Sequence, residues 1–378
     1  MAPGWRAGPA RSDSVREVAT TGDDAAQIAE EYRVFARQEA RGRSLAYESL
    51  AESVAGDAAL VSFVASLPYA KRQPNLLFAA ARYLLGAAPG LLQLRDLVSG
   101  SRAELTEVML SHRTQTNEPA CCATLLPALA QLPQPLALIE VGASAGLTLL
   151  VDHYSYDYAG HRLAGRDPRA PTLRCEPRGP VPLPAGLPEV AWRAGLDLNP
   201  LDVNDADDMR WLSCLVWPGE GDRQERLALA IASARRDPPA VHPGDLLTDL
   251  PALAAQAPAD ATLVVYHTSV LTYVAPGERW RFFTAVADLD AVWLSNEVPG
   301  LVPGIPSTAR EQSGGGRGAR GREKQSGGGR GARGRERQSG GGRGARGREE
   351  QSAALLVRDG RTPLAHTDPH GTWLHWLG

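Results

Sequence analysis

One stretch of the chain, LALIEVGASAGL, carries residues whose types and spacing could do chemistry. Its apolar run ends in Glu140, and Gly142, Ser144 and Gly146 follow at two-residue spacing. This pattern predicts a strand, a tight turn and a helix over residues 147–154. Because glycines let a ligand approach the backbone, such turns hold a phosphate, a nucleotide or a nucleophile in α/β folds.

Acids follow two later predicted strands. Asp197 ends the strand-like run AWRAGLD, and a carboxylate at that point can accept both hydroxyls of a ribose. Asp245 comes after Gly244 and before a predicted helix, where it could accept a hydrogen bond from an adenine amine. Each acid alone also fits a turn, and Asp245 fits a helix N-cap. Their joint appearance at successive strand ends predicts a nucleoside site.

Further polar residues follow the two apolar strands TLVVYH and AVWLS. His267 ends the first of them and is the candidate general base, although a buried structural histidine fits equally well. Tyr273 follows in the next loop, and Asn296 and Glu297 follow the second strand. Ligand sites in parallel sheets lie off these strand ends, so we predict that the three residues contact a small-molecule substrate.

A polar segment before the first strand, RTQTNE, offers a second group of substrate contacts. Thr116, Asn117 and Glu118 carry hydroxyl, amide and acid groups that suit a polar ligand. Asn117 also fits a helix N-cap, with Pro119 in the first turn of the next helix.

The same glycine-rich turn also matches a different chemistry. Ser144 between Gly142 and Gly146 fits the G-x-S-x-G nucleophile elbow of α/β-hydrolases. His370 and an acid such as Asp245 or Glu297 would complete a triad. However, the region before the elbow strand is predicted to be all-helical, and no His-Gly-Gly segment lies upstream. These observations favour the nucleotide interpretation.

The elements that must position these residues form two regions. Apolar spacing predicts only helices between residues 25 and 132, which we interpret as a helical cap. Strands and helices then alternate over 133–378 and end in antiparallel strands around Asp359-Gly360. We therefore predict a Rossmann-like, mostly parallel sheet of methyltransferase type, preceded by the cap. Residues 1–24 are expected to be a disordered leader.

Composition limits the possible partners. Residues 312–350 repeat a Gly/Arg-rich 13-residue unit three times and carry a net charge of +7, which leaves −10 for the rest of the chain. We predict a disordered insertion that binds nucleic acid weakly at most. No apolar run is long enough to span a membrane, and the four cysteines show no zinc-ligand spacing. We predict a cytoplasmic protein without a metal site.

The motifs carry a family resemblance. The chain is similar to an uncharacterised bacterial family, domain of unknown function 2332, through the segments VFARQEARG, KRQPN, RTQTNE, EVGASAG and WLSNE. More distantly, EVGASAG, GLDLNP and Gly244-Asp245 resemble class I S-adenosylmethionine-dependent methyltransferases. The second resemblance implies S-adenosylmethionine as cofactor, held by Glu140, Gly142, Ser144, Gly146, Asp197 and Asp245.

Two departures from the methyltransferase pattern matter. Ser144 replaces the middle glycine of the cofactor loop, which narrows the space for the methionine end of the cofactor. More than fifty residues separate Glu140 from Asp197, so either an insertion lies at 157–188 or Asp197 is not the ribose ligand. We expect methyl transfer to a small polar acceptor, and the alternatives are a serine esterase using Ser144 or a non-catalytic binding protein.

Overall fold

The computed structural model describes residues 22–305 and 353–377. By its internal contacts the chain divides into two units. Unit 1 holds residues up to Gln115 together with 210–221, and unit 2 holds the remainder. The predicted leader, apart from residues 22–24, and the predicted insertion at 312–350 lie outside the described residues.

Unit 1 is helical, and within residues 22–115 the structure has no strand. Its helices are α1 (Gly22–Phe35), α2 (Leu45–Ala55), α3 (Ala58–Ala65), α4 (Pro74–Leu85), α5 (Leu91–Gly100) and α6 (Arg102–Ser111), with a π-helix at Ala36–Ala40 after α1. Helix α1 starts at Gly22, three residues before the predicted helical region.

Local signals set the ends of these helices. The Ser44 side chain accepts a hydrogen bond from the Tyr47 amide at the start of α2. Pro74 opens α4, and Gly86 closes it in the left-handed region at φ 72°. The core of unit 1 is aromatic: the Phe78 ring lies 4.9 Å from that of Tyr47 and 6.1 Å from that of Tyr32.

Unit 2 is a mixed α/β structure built on a large, mostly parallel sheet. Its strands are β1 (Leu136–Val141), β2 (Ser155–Tyr158), β3 (His161–Leu163), β4 (Thr172–Arg174), β5 (Glu176–Arg178), β6 (Val190–Asp197), β7 (Val241–Pro243), β8 (Thr262–Thr268), β9 (Val292–Glu297), β10 (Ala354–Arg358), β11 (Thr362–Thr367) and β12 (Trp373–Trp376). Its helices are α7 (Cys121–Leu129), α9 (Gly221–Ala234), α10 (Leu250–Ala254) and α11 (Pro276–Ala287), and the division between the units passes through α8 (Ala206–Cys214).

Within the described residues, the main sheet has nine strands in the order β5-β12-β11-β10-β9-β8-β1-β6-β7. The strands from β9 to β7 run parallel, so their carboxyl ends share one edge, called here the carboxyl edge. Strands β9 to β12 are antiparallel neighbours, which confirms the antiparallel strands predicted at the end of the chain, and β5 then pairs with β12 in parallel. From β1 the chain adds β6 and then β7 on one side of the sheet, and it afterwards adds β8 and β9 on the other side of β1. This switch of direction falls between β1 and β8.

The prediction of a helix over residues 147–154 is wrong. A 3-10 turn at Leu147–Leu150 follows the glycines, and β2 begins at Ser155. The connection from β1 to β6 holds a small sheet in the order β3-β2-β4, and it also holds β5, which joins the far end of the main sheet. An insertion between β1 and β6 is thus present, and β6 still pairs directly with β1.

One face of the main sheet carries an apolar core. Ile139 and Val141 of β1, Val265 of β8 and Trp293 of β9 are buried there, against Phe282 of α11. A continuous apolar run along each strand is typical of a sheet covered on both faces. Within the described part of the chain, no helix is long and apolar enough to cross a membrane.

Candidate functional site

Residues 142–146, called here the glycine loop, follow β1. This loop is hydrogen-bonded within itself and to the end of β6. Gly142, Ser144 and Gly146 all have left-handed backbone, with φ of 71°, 53° and 70°. The amides of Gly142 and Ala143 donate to the Leu196 carbonyl at 2.8 and 3.3 Å. The Gly146 amide donates to the Ala143 carbonyl at 2.7 Å. These amides therefore shape the loop and do not form a phosphate cradle.

Asp197 ties this loop to the end of β6. Its Oδ2 accepts the Ser144 amide at 2.8 Å, and its Oδ1 accepts the Asn199 amide at 2.8 Å. A carboxylate accepts about four hydrogen bonds, so this anchoring role is compatible with ligand contact. Leu198 follows directly, and its side chain is 64% exposed.

Asp245 lies at the next strand end along the edge. Strand β7 pairs with β6 so that Pro243 is opposite Asp197, and the Gly244 amide donates to the Asp197 carbonyl at 2.9 Å. Asp245 Oδ1 accepts the Leu247 amide at 2.7 Å, as in a turn acid. The structure thus brings the glycine loop and both predicted acids together at the carboxyl edge.

Glu140 lies behind the loop and not in an open site. Its side chain is buried on β1 and accepts a hydrogen bond from the Thr148 hydroxyl. Its Oε2 has no hydrogen-bond partner among the described residues. Burial raises the pKa of Glu140 to about 8, and the Asp197 charge adds to this while the Thr148 hydrogen bond opposes it. Glu140 is therefore mostly a neutral acid at pH 7.

Two residues of the predicted substrate segment are instead engaged by other parts of the protein. Asn117 is buried, and its Oδ1 accepts the Leu147 amide at 2.7 Å, just after the glycines. Glu118 accepts hydrogen bonds from Nε of both Arg223 and Arg226 at 2.7 Å. Burial alone would raise the pKa of Glu118, but these arginines outweigh it and hold the pKa below its usual value.

The predicted base is held inside the sheet. His267 is fully buried between Phe282 and Trp293, and its Nδ1 lies 2.7 Å from Glu297 Oε1. A carboxylate at Nδ1 fixes the ring and makes Nε2 the position for proton exchange. That Nε2 is buried without a hydrogen-bond partner in the described part of the chain. A base role for His267 therefore requires that its Nε2 become accessible to a ligand.

Glu297 also holds the loop after β8, which we define as residues 269–271. Its Oε1 accepts the Val270 amide at 2.7 Å and the Leu271 amide at 3.1 Å. The Ser269 amide donates to the Asn296 carbonyl at 3.0 Å, and the φ of Ser269 is 57°. Loop 269–271 is thus fixed to the end of β9 over the end of β8.

Val270 extends from loop 269–271 onto the glycine loop. A Cβ placed on Gly142 would overlap the Val270 side chain, so the two residues are in close packing contact. On the other side of the same loop, a Cβ on Gly146 would lie 2.7 Å from Cγ of Pro239. The glycines are therefore covered by protein side chains at both ends of the loop.

The remaining predicted contacts are divided between surface and interior. Thr116 is exposed and Tyr273 is 65% exposed, whereas the buried Asn296 accepts a hydrogen bond from the Thr367 hydroxyl at 2.7 Å. Sequence reasoning missed Thr148, Val270 and the arginine pair. Of these, only the arginines had a signal in the sequence, since two cations three residues apart on a helix can both pair with one carboxylate.

A comparison with protein families identifies the chain. A family model described as an uncharacterized protein conserved in bacteria, DUF2332, matches residues 29–376. The chain belongs to this family. No curated protein and no solved structure matches the chain.

Three segments that resemble DUF2332 in the sequence meet at the site. Residues 140–146 contain the glycine loop, and 113–118 supply Asn117, which accepts a hydrogen bond from the Leu147 amide just after it. Residues 293–297 end in Glu297, which holds both His267 and loop 269–271. The DUF2332 motifs of unit 2 therefore converge on one structural feature, the carboxyl edge around β1.

Proposed function

We propose that unit 2 binds an adenine nucleoside cofactor of the S-adenosylmethionine class at the carboxyl edge, with methyl transfer to a small polar acceptor as the activity. One observation carries the proposal. Asp197 and Asp245 lie at adjacent strand ends, with their backbones joined by the Gly244 hydrogen bond. This spacing matches a ligand that offers ribose hydroxyls to one acid and an adenine amine to the next.

The chemistry of the glycine loop supports a nucleoside over a nucleotide. The amides of Gly142, Ala143, Ser144, Gly146 and Leu147 all donate within the protein. A phosphate would need such amides for itself, whereas the ribose hydroxyls need only an acceptor. The exposed Leu198 beside Asp197 adds an apolar surface against which a flat base can pack.

Bound S-adenosylmethionine would supply the methyl group, and transfer by in-line displacement needs mainly positioning from the protein. Asp197 and Asp245 would hold the nucleoside, and Glu297 keeps the His267 ring in one orientation. His267 is the proposed acid/base group, a role that requires its buried Nε2 to become accessible. The proposed partner is a small molecule, and the Gly/Arg-rich repeat adds at most weak nucleic-acid contact.

Calorimetric titration tests the proposal. The purified protein is expected to bind adenosine and S-adenosylmethionine, and Asp197→Asn should weaken both affinities about 10- to 100-fold. The reason is that an amide nitrogen cannot accept a hydrogen bond from a ribose hydroxyl, and a hydrogen bond to a charged group contributes about 1.5–3 kcal/mol.

A matched control is Asp260→Asn, which makes the same charge change at an exposed turn before β8, at the opposite end of that strand. This variant should bind both ligands as the native protein does. Absence of binding to the native protein, or equal loss in both variants, would contradict the nucleoside site.

One observation favours a second candidate, the serine esterase. Ser144 has the left-handed backbone that a strained nucleophile turn requires, with φ of 53°. However, its side chain is buried and a 3-10 turn replaces the helix of a nucleophile elbow. An esterase predicts turnover of activated esters that Ser144→Ala abolishes. The nucleoside proposal predicts that Ser144→Ala leaves any such background rate unchanged.

A further inference from the structure

The order of the strands gives a bound nucleoside a direction. Asp245 follows β7, Asp197 follows β6, and β1 and then β8 come next along the sheet. A ligand with its base at Asp245 and its ribose at Asp197 therefore extends its 5′ substituent across the end of β1 toward β8.

The Val270 side chain lies on the path of this 5′ substituent. Its side chain packs on Gly142, at the point where the chain switches direction between β1 and β8. Gly142 has no side chain, so its surface would otherwise be open to a ligand. Space for a 5′ substituent at β1 is thus filled by an apolar side chain of the protein itself.

The position of Val270 is fixed by the backbone. Both its own amide and that of Leu271 donate to Glu297 Oε1, and the preceding Ser269 amide donates to the Asn296 carbonyl. Glu297 is fully buried, so water does not compete for these bonds. These bonds keep the Val270 backbone at the glycine loop, and its Cβ would lie 3.4 Å from a Cβ on Gly142 in every side-chain rotamer. Loop 269–271 must separate from Glu297 for the space to open.

We propose that Val270 sets the ligand specificity of the site by limiting the size of the 5′ substituent. The inference rests on the proposed nucleoside site and names its ligand class. Adenine nucleosides with a 5′ group of the size of a hydroxyl fit the described conformation. Ligands that carry an amino-acid tail at this position, including S-adenosylmethionine and S-adenosylhomocysteine, bind only when loop 269–271 is displaced, and their affinity is lower for that reason.

Titration of the full chain with adenosine and with S-adenosylhomocysteine tests this inference. The native protein should bind S-adenosylhomocysteine no more tightly than adenosine. Val270→Ala should increase the affinity for S-adenosylhomocysteine about tenfold and leave the affinity for adenosine within about twofold of the native value. The control is Val274→Ala, which removes the same atoms from a valine four residues further on that packs against the apolar core. It should leave the ratio of the two affinities unchanged.

The outcomes separate the two proposals. Adenosine binding with a ratio that Val270→Ala does not change would overturn the specificity role and leave the nucleoside site standing. If the native protein bound S-adenosylhomocysteine more than tenfold tighter than adenosine, the specificity role of Val270 would also be overturned and the nucleoside site would stand. Failure of both ligands to bind every variant would overturn the nucleoside site itself.

A measurement without ligand checks the contact between the two loops. Gly142→Ala should lower the urea midpoint of unfolding, because the new methyl group overlaps Val270 and the residue has left-handed backbone. In a Val270→Ala background the same change should lower the midpoint by clearly less. Equal losses in both backgrounds would show that Val270 does not press on Gly142.

Discussion

Replacement of Glu118 by alanine is expected to lower the free energy of unfolding of unit 2 by about 3–5 kcal/mol. The Glu118 carboxylate is 7% exposed, and the side chains of its partners Arg223 and Arg226 are 11% and 16% exposed. The change leaves two positive charges in a poorly hydrated site without their partner. Urea denaturation at pH 7, followed by far-UV circular dichroism, measures the loss.

Glu225 provides the matched control, because it lies between the two arginines in the sequence and is exposed. Glu225→Ala should change the free energy of unfolding by no more than about 0.5 kcal/mol. The pKa of Glu118 is held below that of the unfolded chain, so its contribution is present at neutral pH and falls in acid below about pH 4.5. If the two alanine variants lost equal stability, the buried ion pairs would not be the cause.

Glu140 should make the protein less stable as the pH rises from about 4.5 to about 8. In this interval the unfolded chain releases the proton of this carboxyl group, whereas the buried Glu140 keeps it, because its pKa is raised to about 8. The stability due to this group is fully present below the unfolded pKa. Between these two pKa values the contribution of Glu140 to the free energy of unfolding falls by about 1.4 kcal/mol per pH unit. The total loss is about 5 kcal/mol, and the contribution is constant above pH 8.

Glu140→Gln removes this titration and keeps the shape of the side chain. The difference in unfolding free energy between native protein and variant should change by several kcal/mol from pH 5 to pH 9, in favour of the variant at high pH. Thr148→Val removes the hydrogen bond that lowers the pKa of Glu140, so its transition should extend to higher pH. A difference that stays constant with pH would contradict the raised pKa.

The main strands and several helices were predictable because their signals are local. Strand β1 and the helices of residues 22–115 agree with the prediction, since an apolar run before glycines and helical apolar spacing are decided by neighbouring residues. The helix predicted over 147–154 failed because its apolar residues are buried for another reason. They form a 3-10 turn that contacts β1 and β6 and leads into β2, and nothing in the local sequence reports those contacts.

The site was predictable at the level of strand ends. Asp197, Asp245 and the glycine loop meet as expected, because parallel strands place their carboxyl ends at one edge. The direction of each side chain was not predictable in the same way. His267 and Glu297 turn inward and hydrogen bond to each other, and Val270 gave no signal that it would cover Gly142. These facts depend on tertiary packing between segments that are distant in sequence.

The two outer strands of the main sheet have a consequence for assembly. Within the described residues, β5 and β7 are the outermost strands, and each is only three residues long. Each also contains a proline, Pro177 or Pro243, which has no amide hydrogen to offer to a further strand. Short edges interrupted by proline prevent neighbouring molecules from continuing the hydrogen-bond ladder. Within the described residues, both outer strands of the sheet therefore offer few amide hydrogens to a strand of another molecule, which we expect to disfavour edge-to-edge association.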